Sequence, residues 1–127
     1  MKLLHNEHIE KIENCPIENQ LGEIKLYRWV NTDSFNNSFT PFGFKEHFKN
    51  NCLAWGLSTY NSEKGALEAL NSLPLKKRKE FNAIAFCSIK DENGIKHQSG
   101  SNKNHYTFYP NNEFDVISNF QIIENEN

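Results

Sequence analysis

The sequence predicts an α+β fold: one domain over residues 1–127, with a bent or split, mainly antiparallel sheet and one main helix. Three observations carry this. Short apolar and β-branched runs recur between turn signals. A single stretch, 63–73, shows a helical stripe. At 127 residues, with ten Phe, four Tyr and two Trp, the chain has enough bulky material for a core without disulfide or metal staples.

Residues 1–20 read as an N-terminal helical segment, with a short helix over 2–14 on Leu3, Leu4, Ile9 and Ile12, ended by Cys15-Pro16. EIKLYRWV, 23–30, alternates Ile24, Leu26, Arg28 and Val30 against Lys25, Tyr27 and Trp29. Both sets are bulky, so this strand is expected to be central, with Arg28 among the apolar set. Residues 31–51 fit neither period. They read as an irregular loop pinned by Phe35, Phe39, Phe42, Phe44 and Phe48, with a turn of helix at 44–50.

CLAWGLSTY, 52–60, is expected to be the second strand. Ser62 is an N-cap, and Ala66, Leu67, Leu70 and Leu73 form the helical stripe that Pro74 ends. FNAIAFCSIK, 81–90, makes a third strand. DENG is a hairpin turn and IKHQS a fourth strand. After the loop 99–104 come HYTFYP, 105–110, and FDVISNFQII, 114–123, as fifth and sixth strands. Residues 124–127 are expected to fray.

Net charge is −2, which argues against general nucleic-acid binding, since that needs a basic excess. KKRK at 76–79 reads as a solvated loop or helix end. No window approaches the roughly 20 apolar residues of a membrane span. The N-terminus lacks a secretory apolar core. Cys15, Cys52 and Cys87 are far apart and lack a C-x-x-C spacing, so no metal site is expected. Read as reduced thiols, with Cys52 and Cys87 as buried hydrophobes, they point to a cytoplasmic protein.

Several chemistries lack their motif. WGLSTY has no second Gly for a G-x-S-x-G nucleophile elbow. Cys52 and Cys87 sit in apolar runs with no activating partner. His5 and His8 are at helical spacing without a third ligand. The triplets His97-Gln98-Ser99 and His105-Tyr106-Thr107 match the paired H-x-[S/T] of two-histidine phosphoesterases in letters. They flank one loop, however, rather than lying in separate halves of a fold.

A further set is spread along the chain: Leu26-Tyr27-Arg28, then Gly56-Leu57-Ser58-Thr59-Tyr60 before a helix carrying Ala66, then HYTFYP, then Phe114-Asp115-Val116. Over residues 23–123 this order resembles the ADP-ribosyltransferase superfamily, especially its Arg-Ser-Glu branch. The resemblance implies that fold and a cleft for NAD. Arg28, Ser58 and His105 would be the catalytic group. Arg28, Trp29, Ser58, Thr59 and Tyr60 would hold the cofactor. Arg28 suits the pyrophosphate, Ser58 or Thr59 the ribose, and Tyr60 or Trp29 the nicotinamide ring. The family's catalytic Glu position holds Asn104, His105 or Tyr106, none of them an acid. The related RNA 2′-phosphotransferases use Arg and His instead, which gives His105 a role. These residues also have plain readings: a paired strand Arg, a strand terminus and a polar edge His.

The rival expectation is a non-enzymatic partner-binding protein, such as an immunity protein or antitoxin meeting a toxin or effector. Its surface would be Phe35, Phe39, Phe42, Phe44 and Phe48, since exposed aromatics are typical of interface hot spots. Exposure of at least two of them favours this reading. Convergence of Arg28, Ser58, Tyr60 and His105 on one cleft favours the first.

Overall fold

Strand β1, Ile24–Val30, buries Leu26 and Val30 on one face and packs Tyr27 and Trp29 on the other. Apolar groups on both faces make it an interior strand, as its alternation predicts. The computed structural model, which describes residues 1–124, places it in a six-stranded sheet of order β4-β5-β2-β1-β3-β6. The other strands are β2 (Leu57–Tyr60), β3 (Ala83–Ile89), β4 (Gly94–Gln98), β5 (His105–Pro110) and β6 (Gln121–Ile122). Every pairing is antiparallel. With four short helices, the fold is α+β.

β1 runs beside β3 in register from Ile24↔Ile89 to Val30↔Ala83. Beside β2 it is in register at Tyr27↔Tyr60. The sheet therefore opens between β1 and β2 beyond that pair. The main core, built on Leu26, Val30, Leu57, Tyr106 and Phe108, fills one face. On the other, helix α2 (Glu63–Asn71) packs Ala66 against Tyr60 and Ile84. Ser62 caps α2 as expected, accepting from the Gly65 N–H at 2.9 Å.

Several boundaries differ from the sequence expectation. The helix over 2–14 shortens to α1, Asn6–Ile9. Its flank bridges Leu3 to Asn111 and sends the Leu4 N–H to the Pro110 carbonyl at 2.9 Å. Strand 52–60 is half strand. Cys52–Trp55 is a 3₁₀ turn capped by the Asn51 side chain on the Leu53 N–H. Strand 114–123 breaks in the same way. The Asp115 carboxylate accepts from the Ile117 and Ser118 N–H groups and starts helix α4, Val116–Asn119, leaving only β6 extended. A further helix, α3, covers Leu75–Arg78 after Pro74. Of the tail 124–127, only Glu124 lies among the described residues.

The cysteines correct a chemical expectation. Cys15 and Cys52 form a disulfide, with Cα atoms 5.6 Å apart, so neither is a free thiol. Cys87 alone is free and buried. The bond ties the segment after α1 to the turn that leads into β2. Residues 18–22 then cover the open edge of β4: the Gln20 N–H meets the Lys96 carbonyl at 2.8 Å. Lys96 itself is 1% exposed. Its ammonium reaches the Asp91 carboxylate at 2.8 Å and the Gln20 carbonyl at 3.0 Å. Those two contacts satisfy a charge that could not otherwise be buried. Among the described residues, no helix is long and apolar enough to cross a membrane.

Candidate functional site

The opening between β1 and β2 is where Arg28 acts. Strand alternation sends its side chain out on the Leu26–Val30 side, while the Tyr27↔Tyr60 pairing puts Ser58 and Tyr60 with Tyr27 and Trp29. The guanidinium bridges the gap. Its Nε donates to the Ser38 carbonyl at 2.9 Å and its Nη1 to the Ser58 carbonyl at 2.6 Å. It thereby replaces ladder bonds that β2 cannot take from β1, and it pins the 31–51 loop over the sheet. Burial lowers its pKa to about 10, with the nearby Tyr60 phenol opposing the shift. Arg28 thus stays cationic at neutral pH. It is not a surface-paired arginine.

Ser58 and His105 meet through β2–β5 pairing. Ser58 is opposite Thr107 and Tyr60 opposite His105, so Ser58 and His105 are diagonal neighbours on one face. Ser58 Oγ is 2.5 Å from His105 Nε2. His105 Nδ1 faces the Ser99 carbonyl at 3.1 Å. A carbonyl only accepts, so Nδ1 carries the proton and Nε2 presents its lone pair to the Ser58 hydroxyl. Ser99 Oγ adds a contact to Nδ1 at 3.1 Å and another to Thr107 Oγ1 at 2.7 Å. Burial lowers the His105 pKa. The hydrogen bond to Ser99 opposes that shift, and the Arg28 charge adds to it. The imidazole is therefore neutral at pH 7.

Two cavities share this centre. One, of about 440 Å³, is lined by Arg28, Trp29, Phe42, Lys45, Ser58 and Lys77, among others. The second, of about 270 Å³, holds Arg28, Ser58, Ser99, His105 and Thr107 beneath Phe42 and Phe48. Arg28, Ser58, Phe42 and Phe48 belong to both. Lys45 and Lys77 stand over the Phe42 ring at 4.9 and 5.8 Å. Glu80 also lines the larger cavity.

The remaining expected site residues divide. Trp29 edges the larger cavity. Its ring lies on Tyr60 at 5.4 Å, and its indole N–H is fixed to the Ala66 carbonyl at 2.8 Å. Tyr60 is buried behind it, edge-on to His105 at 5.3 Å. It supports the site from behind. Burial raises its phenol pKa, so it stays protonated. Thr59 is not brought to the cleft. It is fully buried on the opposite side, donating to the Tyr106 carbonyl at 2.8 Å.

Lys45, Lys77 and Glu80 went unnoticed in the sequence, where KKRK read as a solvated run. Helix α3 turns one of its four residues toward the cleft, and no local periodicity signals which. Among the described residues no cluster of His, Cys, Asp or Glu could hold a metal. The five loop Phe split: Phe39 is buried and Phe35 packs on the core. Phe42, Phe44 and Phe48 are 50%, 52% and 43% exposed. Comparison with family models, curated proteins and solved structures found no match to this chain.

Proposed function

We propose that the joined cavities bind a nucleotide, with NAD as the first ligand to test, and that the chain is an ADP-ribosyltransferase-like protein. The observation that carries this is the cleft's make-up. Three cations, Arg28, Lys45 and Lys77, surround a space walled by Trp29, Phe42, Phe48 and Phe81. Cations suit phosphates and aromatic walls suit a base or nicotinamide ring. Glu80 is an acid in the same cavity, in a different part of the chain from the family's Glu, and could face a developing oxocarbenium. Titration calorimetry with NAD, ADP-ribose and AMP tests the reading. Binding that falls about tenfold or more in the K45A/K77A double variant supports it. No heat with any of the three ends it.

A second reading rests on Phe42, Phe44 and Phe48. Three large aromatics exposed on one loop fit a partner-protein surface of the immunity or antitoxin kind. A partner whose capture is lost in F44S, at a ring that lines neither cavity, with nucleotide binding intact, would favour it. Compartment belongs to the same proposal. A cytoplasmic placement needs reduced thiols, whereas the Cys15–Cys52 bond fits an oxidising compartment. Thiol blocking at cell lysis decides between them.

A further inference from the structure

We propose that Ser58 is an activated nucleophile, with His105 as its base, for a carboxylic ester carrying a small acyl group. The proposal uses the same cleft but does not depend on a nucleotide binding there. Its basis is a three-part chain: Ser58 Oγ on His105 Nε2 at 2.5 Å, and His105 Nδ1 on the Ser99 carbonyl at 3.1 Å. Nucleophile, base and orienting acceptor within hydrogen-bond reach form the arrangement that makes a serine hydroxyl reactive. A backbone carbonyl takes the place of the usual carboxylate. It fixes the tautomer without adding a charge. The nucleophile elbow is missing because Ser58 sits inside a strand, where antiparallel pairing with β5 supplies the base instead.

The surroundings suit the chemistry. The smaller cavity, about 270 Å³, opens on Ser58 and His105 and is walled by Pro41, Phe42, Leu53 and Ala54, an apolar space for a short acyl chain. Arg28 lines it too. Two of its nitrogens are committed to carbonyls, but among the described residues its Nη2 has no acceptor. That leaves one N–H pair for a developing oxyanion.

The step balances as follows. Ser58 Oγ bonds to the ester carbonyl carbon as its proton passes to His105 Nε2. The carbon–alkoxy bond then breaks, and the imidazolium gives that proton to the departing alkoxide. Water, deprotonated by His105, attacks the acyl–Ser58 carbonyl. The acyl–Oγ bond breaks, the carboxylic acid leaves and Ser58 regains a proton. One water is consumed per ester and nothing is oxidised or reduced.

The test uses the full-length protein with p-nitrophenyl acetate and no nucleotide. The expected result is a stoichiometric burst of nitrophenol, with one acetyl group on the peptide carrying Ser58. The burst rate should rise with pH through one ionisation below the ordinary histidine value, then level off. S58A should abolish both signals. H105Q should slow acylation by about 100-fold. Circular dichroism checks that each variant folds. An acetyl group on any other residue overturns the proposal. So does an S58A rate equal to that of the native protein, or a native rate no faster than that of urea-unfolded chain. None of these outcomes bears on the nucleotide titration.

Discussion

Arg28 illustrates how one side chain can hold a fold and a site together. Its two hydrogen bonds join the 31–51 loop, at Ser38, to β2, at Ser58. Lysine cannot reproduce that fork. R28K is expected to lower stability by about 1–3 kcal/mol, read as a reduced urea midpoint. An unchanged midpoint would mean the fork is dispensable. His105 makes stability depend on pH. Its folded pKa is lowered, so between that value and the unfolded value the unfolded chain binds more protons. The stabilisation is complete above the ordinary histidine value of 6.5 and is lost as pH falls below it. His5, lowered chiefly by burial, adds in the same direction. Urea midpoints should drop from pH 7.5 to pH 5.5, and H105Q should flatten part of that slope. An equal slope in the variant would remove His105 from the account.

At the scale of elements, the turns around Trp55 decide where β2 begins. The Trp55 indole N–H donates to the Lys49 carbonyl at 2.8 Å, and His8 stacks on the ring at 4.2 Å. Gly43 lies flat against it. A Cβ there would meet the indole at 2.3 Å. G43A must therefore push the Phe42–Phe44 turn off Trp55, at about 1–3 kcal/mol. It should also open the cleft, since Phe42 lines both cavities. A loss of stability together with a shifted Trp emission is the expected readout, and wild-type values for both would refute it. Gly56 plays the matching part on the other side, where a Cβ would strike Thr107 at 2.3 Å. The missing side chain at Gly56 thus lets the start of β2 run close beside β5. At the start of α2, S62A is expected to cost about 1 kcal/mol through loss of the cap on Gly65.

For the whole molecule, the disulfide and the strap beside it link the first twenty residues to the sheet. Cys15 and Cys52 are 37 residues apart, a loop long enough for the cross-link to matter by about 4 kcal/mol. Protein unfolded without reductant should give one reactive thiol, from Cys87, and three after reduction. The C15S/C52S variant should melt several degrees lower. Three thiols without reductant would refute the bond. The distribution of aromatics also belongs to this scale. Phe35 and Phe39 join the main core, while Phe42, Phe44 and Phe48 stay out. Phe42 and Phe48 line the candidate cleft, whereas Phe44 packs against Trp55, so a partner seated on Phe42 and Phe48 would compete with a small ligand.

The sequence by itself determined the elements whose signals are local. HYTFYP emerged with its expected bounds, the two-faced alternation of Ile24–Val30 marked an interior strand, and Ser62 marked the start of α2. It misjudged 52–56 and 114–120, where an Asn or Asp side chain bonding the next N–H groups outweighs β propensity. It named Arg28, Ser58, Tyr60 and His105, but the distances among them follow from strand order β5-β2-β1. Only the tertiary structure paired Cys15 with Cys52, turned Thr59 away from the cleft and brought Lys45, Lys77 and Glu80 to it. Those outcomes depend on register and on the path of the loops. Both are set by packing between segments distant in the chain, which local periodicity does not encode.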